Sequence, residues 1–145
     1  MKKIVVVLVL FITGSLFAQK GDVYDDFIWR LGTGAKAKIF ADEYIDNLAA
    51  TKKDIPVGVW NSVKSGINYR QFLQDAKEVI KNNYTEQEVT EILNFYAITQ
   101  NANHGGELVY DQKPQVTEQM YNVGKDFGRQ LNYQIKSLLD AKGYE

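Results

Sequence analysis

His104 is the only histidine in the chain, and His104-x-x-Glu107 has the i, i+3 spacing with which a helix can present two metal ligands. One such pair does not make a transition-metal site. Zinc takes three or four nitrogen, sulfur or carboxylate ligands, and the chain has no cysteine and no second histidine. The same scarcity argues against a nucleophile–histidine pair, and no Gly-x-Ser-x-Gly elbow surrounds a serine. A loop histidine in solvent is the plainer reading. Gly32-Thr33-Gly34-Ala35-Lys36 lacks the spacing of a phosphate loop and follows no strand, so it reads as a turn between helices. Asp22, Asp25 and Asp26, and again Asp42, Glu43 and Asp46, could offer oxygen to a hard cation. Neither set has the alternating donors and central glycine of a calcium loop, so both read as solvated helix faces. Asn83-Tyr84-Thr85 satisfies a glycosylation sequon, but Thr85 is better used as a helix cap. No catalytic, cofactor-binding or metal-ligating residue is assigned, and no cofactor is expected.

The elements that would position any site are helical. Strict apolar alternation is missing, whereas apolar residues recur at intervals of three and four. Asp22 caps a first helix with Tyr24, Phe27, Ile28 and Leu31 on one face, ended by Gly32-Thr33-Gly34. A second runs from about Ala35 to Ala50, with Phe40, Tyr44 and Leu48 on its inner face and Ala37 and Ala41 nearby. Pro56 opens a third, carrying Val57, Trp60, Val63 and Ile67. For the fourth, Asn68 is the expected cap and Gln71 its capping-box partner, ahead of Tyr69, Phe72, Leu73, Ala76 and Ile80.

The fifth is the best-written element. Thr85 and Glu88 form a Thr-x-x-Glu capping box, and Tyr84 and Val89 are placed as a hydrophobic staple. Pro114 begins a long last helix, reaching about Ala141, with Val116, Met120, Val123, Phe127, Leu131, Ile135 and Leu138 along one stripe. Gly124 and Gly128 beside that stripe suggest close approach of another helix. The expected fold is all-α: a small bundle of about five to seven helices in one domain, residues 22–141.

The N-terminus reads as a leader rather than as part of that bundle. Lys2 and Lys3 precede the apolar run Ile4–Ile12, and Ser15-Leu16-Phe17-Ala18 supplies a small residue before a cut ahead of Gln19. The run is shorter than the roughly 20 apolar residues of a membrane span. The expectation is therefore residues 1–18 as a signal peptide, export to the periplasm or medium of a bacterium, and no stable membrane anchor afterwards. Without Met1–Ala18, Lys plus Arg falls from 17 to 15 against 18 acids, and the net charge goes from −1 to −3. Such a balance, with basic residues scattered, speaks against nucleic acid as a partner. Having no cysteine, the exported chain must rely on its apolar core alone.

Around the fifth helix the chain resembles the bacterial family called domain of unknown function 2059. The resemblance rests on Tyr84-Thr85-Glu86-Gln87-Glu88-Val89, Phe95-Tyr96, Gly106-Glu107-Leu108, Pro114 and Glu118-Gln119-Met120. It spans roughly Asn68 to Gly128. The family's common Ser-Pro-x-Gly-Lys after Phe-Tyr is replaced here by the longer Ala97–Gly106. The resemblance implies an exported helical protein and supplies no catalytic residues.

Three functional classes follow. The first is a non-enzymatic envelope domain that engages another protein or its own copy, with Phe95, Phe127, Leu131, Ile135 and Leu138 as the expected partner-facing residues. The second is a carrier of an apolar ligand between Phe40, Tyr44, Trp60 and Phe72. The third, least favoured, is a hydrolase using paired Asp and Glu, which requires two carboxylates facing each other across a cleft.

Overall fold

The computed structural model describes residues 22–99 and 110–144. They form six helices and no strand: α1 (Val23–Arg30), α2 (Thr33–Thr51), α3 (Val57–Gly66), α4 (Arg70–Asn83), α5 (Glu86–Thr99) and α6 (Pro114–Asp140). The fold is an all-α bundle with a long C-terminal helix. None of these helices is long and apolar enough to cross a membrane. Residues 1–18, expected to be a signal peptide, lie outside the described residues, as do His104 and Glu107.

The helix boundaries follow local chemistry. Asp22 Oδ1 accepts from the Tyr24 amide at 3.0 Å and starts α1. Gly32 takes the left-handed conformation, φ 65°, and lets the chain turn at once into α2. Thr85 and Glu88 form the expected reciprocal cap. The Glu88 amide donates to Thr85 Oγ1 at 3.2 Å, and the Thr85 amide donates to Glu88 Oε2 at 2.7 Å. Tyr84 and Val89, the staple, are both buried. At the far end, Gly143 at φ 82° closes a Schellman turn, its amide donating to Asp140 and that of Tyr144 to Leu139.

The cap of α4 differs from expectation. Asn68 Oδ1 does accept, from the Arg70 amide at 2.9 Å. Its own amide donates to Gln134 of α6 at 2.7 Å, and Gln134 Nε2 returns a bond to the Asn68 carbonyl at 3.2 Å. Gln71 instead bonds Asp75, one turn on.

Two apolar clusters form the core. The first joins α1, α4, α5 and the start of α6 through Phe27, Ala76, Ile80, Tyr84, Val89 and Val116. The second joins α2, α3 and the rest of α6 through Ala41, Ile45, Trp60, Val63, Phe127 and Leu131. At 27 residues, α6 is about 40 Å long and reaches both. Its start is fastened to α5 by Lys113, whose ammonium donates to Glu88 at 2.9 Å and sits 4.2 Å over the Tyr84 ring.

Several expected faces are rotated. On α2 the small Ala37 and Ala41 face the core with Ile45, whereas Phe40 is half exposed. Val57 is exposed although Trp60, Val63 and Ile67 are buried. Gly124 and Gly128 do not mark a helix crossing, because a Cβ at either position would meet nothing within 4 Å. The close approach is at Gly66, against Leu138.

Candidate functional site

The partner-facing stripe expected on α6 is not on the surface. Phe127, Leu131 and Ile135 are all buried, because α2, α3 and α4 pack against that face. Leu138 is half-buried against the same cluster and lies over Gly66. Phe95 of α5 is the exposed member of the five, at 66%. Of the four residues expected to line a ligand cavity, Phe40 and Phe72 meet at a groove. Tyr44 packs behind Phe40, and Trp60 is sealed in the core at 3% exposure.

That groove is the most chemically distinctive surface feature. It lies between α2, α4 and α6 and has a volume of about 480 Å³. With Ala37 turned to the core, α2 lies against the bundle and carries Phe40 and Lys36, one turn apart, onto the groove wall. The opposite wall comes from α6, where Tyr121, Gly124 and Lys125 follow at i, i+3 and i+4. Glycine at 124 leaves the space a side chain would fill.

Phe127 and Phe72 form the floor, their rings 4.7 Å apart. Tyr69 and Phe40 approach Phe127 at 5.8 and 6.4 Å. Phe40 stacks on Tyr44 at 6.4 Å and 12°, and the Tyr44 hydroxyl donates to Asn132 at 2.6 Å, which anchors the aromatic wall to α6. Burial pushes the Tyr69 hydroxyl above its ordinary pKa, and nearby Asp42 adds to the effect. The floor is thus fixed by ring packing, while the lip is open: Phe40 is 50% exposed and Tyr121 71%.

Among the described residues, the only charges lining the groove are the two lysines. Lys125 has no carboxylate partner among the described residues. Other cations are paired with carboxylates. Lys38 pairs with Asp42, Lys64 with Asp46, Lys113 with Glu88, and Arg129 with Asp126.

A smaller recess of about 390 Å³ lies between α1, the start of α2 and α4, beside exposed Trp29. Lys77 lines it, donating to Asp22 at 2.8 Å and to Asp25 at 2.7 Å. The Lys77 bond is the main cause of the lowered Asp22 pKa, and that same bond raises Lys77. Asp26 faces Arg30, so the acidic start of α1 is spent on ion pairs. Among the described residues no group of three or more His, Cys, Asp or Glu converges to hold a metal.

The sequence points to Phe40 and Phe72 as cavity-lining residues but not to the α6 wall, because it gives Gly124 to a helix contact and puts Phe40 on the same inner face as Tyr44 and Leu48. The available signal was Ala37-x-x-x-Ala41-x-x-x-Ile45, a small-residue face that lets a helix sit close and pushes the aromatic beside it outward.

Comparison of the chain with protein-family models, with curated proteins and with solved structures gave no match.

Proposed function

We propose that this chain is an exported, non-catalytic helical domain that engages another protein in the bacterial cell envelope through the α2/α4/α6 groove. The carrying observation is the groove itself: a rigid floor of Phe72 and Phe127 under half-exposed Phe40 and exposed Tyr121. Aromatic residues around a packed depression supply contact area at low entropic cost, which is why they dominate interface anchors. The leader pattern of residues 1–18 supports export, to periplasm or medium. The likeness of Tyr84–Val89, Phe95-Tyr96 and Pro114 to the domain of unknown function 2059 family supports the same setting.

A second reading, a carrier of a small apolar ligand, draws on the groove's volume, which falls within the range of small-molecule sites. The open lip favours the protein partner. A photo-crosslinking amino acid placed in living cells at Phe40 or Tyr121 should give a discrete protein adduct. The same probe at Val57 or Tyr133, both exposed outside the groove, should not. Equal labelling at all four positions would reject the groove as the docking face. Lipid co-purifying with the protein would favour the carrier.

A further inference from the structure

We infer that the groove's occupant is an acidic helical segment of a partner protein, with apolar anchors over Phe127 and a carboxylate against Lys125. This rests on reading the groove as a docking surface and adds the chemistry of what docks. The wall made by Tyr121, Gly124 and Lys125 places an empty apolar slot one residue from an ammonium that no carboxylate answers among the described residues. Among the described residues no acidic residue lines the groove. On a domain with a net excess of acid, a basic-edged apolar groove selects against copies of its own surface and for a segment of opposite sign.

A groove between helices accepts an amphipathic helix through anchors at i, i+3 or i+4, and i+7. A symmetric pairing of two copies at this face would set like lysines near each other across the axis. An anionic membrane is a poorer fit, because such surfaces are held by clusters of four to eight basic residues, and this lip carries two.

The test uses labelled amphipathic peptides of about fourteen residues with leucine and phenylalanine anchors, identical except for flanking Glu, Gln or Lys. Fluorescence anisotropy with the leaderless protein should rank them Glu, Gln, Lys. The Glu peptide should bind at least about fivefold tighter than Gln at low salt, and the advantage should collapse near 0.5 M salt. Lys125→Gln should cut the Glu advantage about two- to fivefold and leave Gln-peptide binding unchanged. Gly124→Leu, whose added side chain enters the slot and meets no protein atom at Cβ, should abolish binding of all peptides while retaining the wild-type circular dichroism.

Equal binding of Glu and Gln peptides, both lost in Gly124→Leu, overturns the charge inference and leaves the groove standing. No binding by wild type, or undiminished binding by Gly124→Leu, overturns the groove reading as well. Displacement of the Glu peptide by vesicles of mixed zwitterionic and anionic phospholipid points to a membrane instead and also overturns the proposal. So does a concentration-dependent dimer that competes with the peptide.

Discussion

Leu138 of α6 lies over Gly66 of α3 so closely that a Cβ on residue 66 would sit 2.9 Å from Leu138 Cδ2 and 3.1 Å from Cδ1. Any side chain at residue 66 would therefore require the Leu138 methyls to shift. Gly66→Val should cost about 1–3 kcal/mol by overpacking, read from the midpoint of urea unfolding. Leu138→Ala in that background should cost less than it does alone, because the two residues occupy the same space. Gly124→Ala is the contrast: the position is helical and open, so stability should rise by about 0.5–1 kcal/mol.

The Asn68–Gln134 pair joins the α3–α4 turn to α6 by two hydrogen bonds. Asn68→Ala removes the acceptor for the Arg70 amide and should cost about 0.5–2 kcal/mol. Gln134→Leu should cost about 1 kcal/mol. Gln71→Ala, at the position that local pattern would make a capping partner, should stay within about 0.5 kcal/mol of wild type. Thermal unfolding of the three variants separates the tertiary cap from the local one.

Glu88 is held below its ordinary pKa of 4.5, first by the Thr85 amide and then by Lys113. A carboxylate with a depressed folded-state pKa stabilises the fold above its unfolded value and loses that contribution as pH falls through the folded one. Asp22, depressed chiefly by Lys77, acts in the same sense. The melting temperature should therefore fall as pH drops below about 4.5. Glu88→Gln keeps the capping geometry but no longer titrates. It should be less stable than wild type at neutral pH, and the two should converge in acid.

Trp60 and Trp29, the chain's two tryptophans, report opposite environments, 3% and 70% exposed. Trp29→Phe should leave blue-shifted fluorescence that acrylamide barely quenches. Trp60→Phe should leave red-shifted emission that is readily quenched. Equal quenching of the two variants would contradict the burial of α3.

Elements written in local chemistry could be read from the chain alone. Thr85-x-x-Glu88 with its Tyr84–Val89 staple, Pro114 at the start of α6, and the stop at Gly32 all act within one or two turns. The all-helical class followed from the three-and-four spacing of residues such as Tyr24, Phe27 and Ile28. What escaped depends on neighbours far along the chain. Gln134 completes a cap 66 residues away. Ala37 and Ala41 face inward in place of Phe40 because helices pack closest over small side chains, a preference that ranking residues by hydrophobicity reverses. The groove inherits both difficulties. Its walls come from three helices, and one of its defining features is the absent side chain of Gly124.

The most direct measurement places the photo-crosslinker at Tyr121 and compares wild type with Gly124→Leu in the same cells. The groove account predicts that the adduct disappears in Gly124→Leu, while helix content and melting temperature match or exceed wild type. An adduct of undiminished intensity in that variant would show that the partner sits elsewhere.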